Sequence, residues 1–213
     1  FKDVSFSYPN GEEAVLKNID FSCHKGQKIA VIGSTGSGKS TLVKLMNRFY
    51  DVSRGSIEIN GVDIRKYDLE SLRTQIGYVA QKAHMFKGSI RSNICFGKPE
   101  ASDEEMHHAA RVAQASDFIS KRENGYLDEI AEDGTNISGG QKQRLSIARV
   151  ILKKPSLYIY DDSFSALDFK TDATLRKTLK PEVKDAIFFV VAQRISTIMD
   201  SDMIIVLDEG QII

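Results

Sequence analysis

Residues 28–46, with the sequence KIAVIGSTGSGKSTLVKLM, decide which fold the chain adopts. An apolar run at 28–32 predicts a buried strand, a glycine-rich loop follows, and apolar residues then recur at helical spacing. The loop matches the pattern G-x-x-x-x-G-K-[ST], which is informative where a strand precedes it and a helix follows it. Because all three parts are present in order, the stretch predicts a strand, a phosphate-binding loop and a helix.

The chemistry of this loop suits a nucleoside triphosphate. Glycines let backbone amides come close to phosphate oxygens, and the N-terminus of the next helix adds partial positive charge. Lys39 is expected to bridge the β- and γ-phosphates, and the Ser40 hydroxyl is expected to hold Mg²⁺. The alternative is a glycine-rich turn without a ligand, which the strand and helix in register disfavour. The predicted nucleotide-binding residues of the loop are Gly33, Ser34, Thr35, Gly36, Ser37, Gly38, Lys39, Ser40 and Thr41.

A second phosphate-binding element begins at Ser138, within the sequence NISGGQKQRLSIARVIL of residues 136–152. A serine hydroxyl, glycine amides and a helix N-terminus are all suited to an anion. The alternative is a serine N-cap followed by flexible glycines. One nucleotide cannot be held by both elements of one small domain, so we expect the second element to bind a triphosphate held by another subunit. Its predicted contact residues are Ser138, Gly139, Gly140 and Gln141.

The order of the remaining elements indicates a mixed α/β chain. Strand-like segments separated by polar or glycine turns fill the first sixty residues, and Asn60-Gly61 is a strong hairpin signal. A capping box at Ser102 and Glu105 opens a helical pattern, and another helix follows Ser138. In the last part of the chain apolar strands alternate with helices, which predicts a parallel sheet covered on both faces.

Bulk composition narrows the possible partners and surroundings. The 213 residues include 29 basic and 29 acidic side chains, so the formal net charge is zero and does not support nucleic-acid binding. Cys23 and Cys95 show no metal-ligand spacing and are interpreted as reduced thiols, which suits the cytosol. The longest apolar runs are far short of the ~18 residues that a membrane span needs, so we expect a soluble piece. Since the chain begins and ends inside strand-like segments, we also expect a domain cut from a longer protein.

The P-loop, ISGGQKQR at 137–144 and YIYDDSFSALD at 158–168, in this order, resemble the nucleotide-binding domain of ATP-binding cassette (ABC) transporters. The resemblance covers essentially the whole chain, and SGGQ, the ABC signature, is highly specific in this context. It implies an α/β fold, with a P-loop NTPase (RecA-like) core, an antiparallel β subdomain and a helical subdomain that carries the signature. The expected boundaries are one ABC domain over 1–213, with the β and core parts at about 1–81 and 154–213 and the helical subdomain at about 82–153. The implied activity is ATP hydrolysis coupled to transport, with ATP and Mg²⁺ as cofactors.

The resemblance also assigns roles to single residues. Tyr8 resembles the aromatic residue that stacks on adenine, although alone it would more often be a core strand residue. Gln81 resembles the glutamine that senses Mg²⁺ and the attacking water, although alone it would be an ordinary polar loop residue. Asp161, which follows an apolar strand, is expected to hold Mg²⁺ through water. Asp168 resembles a residue of the loop that communicates across a dimer of such domains.

Two further segments indicate the membrane partner. The sequences MFKGSIRSNICFG at 85–97 and EDGTNISGG at 132–140 resemble the exporter branch of the family. In that branch the surface near these segments receives coupling helices from the membrane domains. The implied partners are therefore transmembrane domains and a second nucleotide-binding domain, at the cytoplasmic face of the cell membrane.

Two residues depart from an efficient ATPase of this family. Asp162 stands where the family has a catalytic glutamate, and its carboxylate falls about 1.5 Å short if the backbone stays in place. A base must lie within ~3 Å of the proton it takes, and a misplacement near 1 Å costs around a hundredfold. Gln193 stands where the family has a histidine that touches the γ-phosphate, and a glutamine cannot become cationic. The predicted catalytic residues are thus Asp162, Gln193 and Gln81, with the first two weakened.

Either departure alone is compatible with drift in an active enzyme, but both lie on the hydrolytic half of the site. This asymmetry resembles the heterodimeric exporters of the family, so the resemblance implies the degenerate-site subunit of such an exporter. The signature is intact, so it is expected to complete the active site of a different chain that keeps Glu and His. Two alternatives remain: a soluble ABC ATPase without a transport role, and a regulatory module that binds ATP without hydrolysing it. The exporter-like segments oppose the first alternative, and the intact signature opposes the second.

Overall fold

The computed structural model describes residues 1–11, 13–192 and 194–213. The strands are β1 Lys2–Phe6, β2 Leu16–Ile19, β3 Lys28–Gly33, β4 Arg54–Ser56, β5 Glu58–Ile59, β6 Val62–Asp63, β7 Ile76–Val79, β8 Gly88–Ser89, β9 Glu129–Ile130, β10 Leu157–Asp161, β11 Ile187–Val191, β12 Met203–Asp208 and β13 Gln211–Ile212. The α-helices are α1 Lys39–Met46, α2 Leu69–Thr74, α3 Ile90–Ile94, α4 Asp103–Val112, α5 Ser116–Ile119, α6 Gly139–Lys153, α7 Phe169–Leu179 and α8 Ile195–Ile198.

Six strands form the central sheet, in the order β13-β12-β3-β11-β10-β7. Every neighbouring pair is parallel except β12 and β13, which form a hairpin through Glu209 and Gly210. Both turn residues have positive φ, 44° and 79°, as a two-residue type I′ turn requires. Parallel pairing brings the carboxyl ends of β3, β10 and β11 to one edge of the sheet.

Apolar side chains cover the sheet on both faces. Along β3, Ala30 belongs to one buried cluster, while Ile29 and Val31 belong to another. Successive strand side chains point to opposite faces, and the same alternation sends Ile159 and Tyr160 of β10 into different clusters. The prediction of a parallel sheet covered on both faces is therefore confirmed.

A smaller antiparallel part is formed by the early strands. β1 pairs with β2 on one side and β4 on the other, and β5 and β6 form a separate hairpin. Its turn residues Asn60 and Gly61 have φ of 52° and 78°, again a type I′ turn. The hairpin predicted from Asn60-Gly61 is thus present.

The helices α3, α4, α5 and α6 lie between β7 and β10 along the chain, and α6 contacts α3 and α4. The predicted capping box is present at the start of α4, because Glu105 N donates to Ser102 Oγ and Ser102 N donates to the Glu105 carboxylate, both at 3.2 Å. Gln114 takes φ 58° and separates α4 from α5. Within the described ranges, every helix is too short or too polar to cross a bilayer. The boundaries of the helical subdomain at about 82 and 153 stay a prediction.

Candidate active site

The phosphate-binding loop connects β3 to α1 at the carboxyl edge of the sheet. Gly33 has φ 151°, and a Cβ atom there would lie 2.1 Å from the Leu207 carbonyl oxygen. Gly38, the N-cap of α1, has φ 107°, and a Cβ atom there would lie 2.6 Å from Leu16 Cδ2. Both positions therefore require glycine, for backbone conformation and for close packing. The tip of the loop is exposed and consists of Ser34, Thr35 and Gly36.

Lys39 lies across this loop. Its Nζ donates to the carbonyl oxygens of Gly33 at 2.8 Å and Ser34 at 2.6 Å, and to Ser37 Oγ at 3.3 Å. Burial lowers the pKa of Lys39, and the carboxylates at the end of β10 oppose that shift. Ser40 is exposed in the first turn of α1. The lysine ammonium is therefore held where it can exchange loop oxygens for phosphate oxygens.

Asp161 ends β10 and is almost fully buried. The Tyr78 hydroxyl, from the neighbouring strand β7, donates to Asp161 Oδ2 at 3.3 Å. Burial raises the pKa of Asp161, while this hydrogen bond lowers it. Burial and the Asp161 charge raise the pKa of Tyr78 to about 12, so the phenol stays protonated and donates at neutral pH. No sequence motif points to Tyr78, because its place beside Asp161 depends on the pairing of β7 with β10.

Asp162 turns the chain directly after β10. Its φ is 47°, a left-handed conformation that Asp and Asn tolerate better than most residues. Gln81 Nε2 donates to Asp162 Oδ2 at 3.3 Å. Burial raises the pKa of Asp162, and the Gln81 hydrogen bond and the Arg194 charge oppose that shift. The structure therefore brings Gln81 and Asp162 together beside Asp161, whereas Gln193 lies outside the described residues.

Tyr8 lies beside α1. Its hydroxyl is 3.0 Å from Thr41 Oγ1, and its ring meets that of Tyr50 edge to face, with centroids 5.2 Å apart. Lys44 Nζ lies 5.5 Å from the centre of the Tyr8 ring. The structure thus places the predicted adenine-stacking residue next to α1, the helix that follows the phosphate-binding loop, and the stacking itself stays a prediction.

The signature element forms the N-terminus of α6. Gln141 N donates to Ser138 Oγ at 3.3 Å, and Ser138 N donates to Gln141 Oε1 at 3.0 Å, which completes a capping box. Ser138 and Gly139 are exposed, and a Cβ atom at Gly139 would meet nothing within 4 Å. Serine capping and an exposed helix N-terminus are both present here, so the cap does not exclude the second phosphate site, which stays a prediction.

Asp168 is the N-cap of α7 and is exposed. Its carboxylate accepts hydrogen bonds from Thr171 N at 2.9 Å and Thr171 Oγ1 at 2.7 Å. These bonds lower the pKa of Asp168. The observed role of Asp168 is to begin a helix, and its predicted role across a dimer interface stays a prediction.

An exposed aromatic pair marks the segment that resembles the exporter branch. The rings of Phe86 and Phe96 stack with centroids 4.2 Å apart, and the Arg149 guanidinium lies 5.3 Å from the Phe86 centroid. Phe86 is 46% exposed and Phe96 is 58% exposed. Asn93 fixes the Phe86 backbone, since its side chain accepts from Phe86 N at 2.9 Å and donates to Phe86 O at 2.8 Å. The pair is therefore a preformed apolar surface.

A phosphate loop between β3 and α1, with carboxylates at the end of β10, defines a P-loop NTPase domain. The sequence profile of the ABC transporter family matches residues 16–165. The chain belongs to the ABC transporter family.

Relatives of this chain include whole exporters. The chain is 45% identical over 213 residues to the putative multidrug export ATP-binding/permease protein YgaD of Bacillus subtilis, covering 100% of the chain and 37% of that protein. It is 45% identical over 212 residues to heavy metal tolerance factor 1 of Caenorhabditis elegans, covering 100% of the chain and 26% of that protein. A solved structure of a bacterial Atm1-family ABC exporter with ATP bound superimposes with a TM-score of 0.96 at 38% identity, covering 100% of the chain and 37% of that structure. The chain thus spans little more than a third of the length of these relatives, or less.

Proposed function

We propose that this chain is the ATP-binding motor domain of a membrane ABC exporter, at the cytoplasmic face of the membrane. In this proposal it pairs head to tail with a second ABC domain, and ATP-driven closure of the pair moves the membrane domains. Membership of the ABC transporter family supports the proposal, as do relatives described as multidrug export ATP-binding/permease proteins. The exposed Phe86–Phe96 pair is the proposed contact for the coupling helices of the membrane domains.

The chain's own site is proposed to bind MgATP. Residues 33–41 surround the phosphates, and Tyr8 stacks on the base. Mg²⁺ prefers oxygen ligands, which Ser40, Gln81 and Asp161 supply directly or through water. When bound, the ion neutralises charge on the β- and γ-phosphates. The Tyr78 hydrogen bond fixes the orientation of the Asp161 carboxylate toward this task.

Hydrolysis at this site is proposed to be weak. The Asp162 carboxylate is one methylene short of the usual base, and one of its oxygens already accepts from Gln81. A shortfall of about 1 Å costs around a hundredfold in rate. Gln193 donates a hydrogen bond but carries no positive charge, so it stabilises the developing negative charge of the transition state less than His does.

The signature is proposed to complete the active site of the partner. The observation that carries this part is the open N-terminus of α6, where Ser138 and Gly139 are exposed and free space surrounds a Cβ atom at Gly139. Helix N-termini with free amides bind anions. A different partner chain, with Glu and His at the positions equivalent to Asp162 and Gln193, supplies the triphosphate.

Replacing Asp162 and Gln193 by the residues usual in the family tests whether hydrolysis at the chain's own site is weak. In the 213-residue chain, Asp162→Glu with Gln193→His gives every copy a complete catalytic set and an intact signature, so two copies can form two competent sites. We expect ATP turnover to rise by roughly a hundredfold over the unaltered chain. Adding Lys39→Ala to the restored chain should abolish that gain. An unaltered chain that already turns over as fast as the restored one would contradict the proposal.

A further inference from the structure

The turn between Asp162 and Asp168 touches both functional elements of the chain. At one end, Ser165 Oγ donates to the Asp162 carbonyl oxygen at 2.7 Å, and Ser165 N donates to the same oxygen at 3.3 Å. Further along, the Ala166 carbonyl oxygen packs against the signature, since a Cβ atom at Gly140 would lie 3.3 Å from it. The turn is therefore a direct connection between the end of β10 and the first turn of α6.

Arg194 holds this turn in place. Its guanidinium donates to the Ser165 carbonyl oxygen at 3.1 Å and to the Leu167 carbonyl oxygen at 3.4 Å. It also lies 5.0 Å from the centre of the Phe169 ring, which is 79% exposed. One planar side chain thus fixes two carbonyls of the turn and the first residue of α7, a geometry that a lysine cannot reproduce.

Arg194 also contacts a buried carboxylate of α7. Asp172 of α7 is fully buried, and its Oδ2 lies 3.5 Å from Arg194 Nη1. Arg176 pairs with the other oxygen of Asp172 at 2.9 Å. Arg194 therefore contacts the turn, the Phe169 ring and the buried Asp172 carboxylate at the same time. Burial raises the pKa of Asp162, and the Arg194 charge opposes that shift.

We propose that Arg194 is a positioning residue that couples nucleotide at this chain's own P-loop to the signature that serves the partner's site. The inference rests on the proposed function, in which Asp162 belongs to the own site and Gly140 to the partner's site. ATP at the own site settles the position of Asp162. Arg194 transmits this change through residues 165–167 to the start of α6, and ATP turnover at the partner's site increases.

A double-mutant cycle on the full heterodimer tests the coupling. Lys39→Ala weakens ATP binding at the own site, and the assay uses an ATP concentration that leaves this site mostly empty. Arg194→Lys removes the planar guanidinium but keeps the positive charge, and the two changes are combined in a third variant. We expect each single change to lower the partner's kcat by about tenfold with its KM unchanged. In the combined variant we expect no further loss, because both changes break the same connection. Additive losses, or full turnover in Arg194→Lys, would overturn the inference.

Two controls separate coupling from structural damage. Arg176→Lys disturbs the same carboxylate of Asp172, and we expect it to leave the partner's kcat within about twofold. ATP affinity at the own site and the thermal unfolding temperature should be unchanged in Arg194→Lys. A fall in either that accounts for the lost turnover would overturn the positioning role.

A third arm separates this inference from the proposed function. Ser138→Ala should abolish the partner's turnover if the signature serves the partner at all. If Ser138→Ala abolishes the partner's turnover while the losses from Lys39→Ala and Arg194→Lys are additive, only the coupling through Arg194 fails. If Ser138→Ala has no effect, the proposed function itself fails.

Discussion

Gly139→Ala should make the domain more stable and lower the ATPase activity of the proposed exporter. Gly139 is the first residue of α6, and an added Cβ atom would meet nothing within 4 Å. Replacing a glycine by alanine in a compatible backbone stabilises a protein by about 0.4–1 kcal/mol, chiefly by restricting the unfolded chain. For a chain of this size that corresponds to a rise in Tm of about 1–4 °C.

The same methyl group should interfere with the partner's triphosphate. In the proposed assembly the free space at Gly139 receives phosphate oxygens, and a methyl group holds them about 1.5 Å further from the helix amides. Loss of one charge-assisted hydrogen bond costs about 1.5–3 kcal/mol, which lowers turnover by roughly 10- to 100-fold.

The two effects need two measurements, the Tm of the domain and the steady-state ATPase rate of the heterodimer. Gly97→Ala is a matched control, because a Cβ atom there meets only the Lys153 side chain at 3.8 Å or more. It should leave turnover unchanged. Turnover at the unaltered rate in Gly139→Ala, with Tm raised as expected, would refute a phosphate contact at this position.

Three further predictions concern the own site, the membrane contact and the core. Lys39→Ala should weaken ATP binding by the domain by roughly 10- to 100-fold, because a charged donor to phosphate is lost; unchanged affinity in a direct binding assay would contradict its role. Phe86→Ala should lower transport roughly fivefold or more without changing ATP affinity. The control Leu127→Ala, at another exposed apolar side chain, should leave both transport and ATP affinity unchanged, and normal transport with damaged ATP binding in Phe86→Ala would refute the contact. Tyr160→Phe should raise the free energy of unfolding by about 1–3 kcal/mol, because the buried Tyr160 hydroxyl has no hydrogen-bond partner in the part of the chain that the structure describes. A lower Tm in Tyr160→Phe would show that this hydroxyl does form a hydrogen bond.

The elements that the sequence predicts well are those whose signal is local. The phosphate loop, the Asn60-Gly61 hairpin and the capping box at Ser102 each depend on a few adjacent residues, and each is present. Local signals predict less well where a strand ends. Apolar residues after Ile19 suggest a longer strand, but β2 ends there, and Phe21 instead stacks on the Phe1 ring at 4.5 Å.

The contacts that shape the site could not be predicted because they join distant parts of the chain. Tyr78 meets Asp161 across 83 residues, through the pairing of β7 with β10. Arg194 reaches Leu167 across 27 residues, after an intervening helix and strand. In both cases the residue type is ordinary for its local position, and only the order of strands in the sheet reveals the partner.

Two substitutions in this chain, compared by the steady-state ATPase rate of the full proposed heterodimer, test most directly whether the chain divides its residues between two sites. Ser138→Ala removes the signature hydroxyl. Asp162→Asn removes the negative charge of the proposed weak base, and asparagine tolerates the left-handed backbone conformation found at this position. Ser102→Ala controls for the loss of a helix cap, since Ser102 caps α4 with the same capping box. We expect Ser138→Ala to abolish turnover, and we expect Asp162→Asn and Ser102→Ala to retain most of it. Turnover lost as completely in Asp162→Asn as in Ser138→Ala would make Asp162 a working base and contradict the division of this chain between two sites.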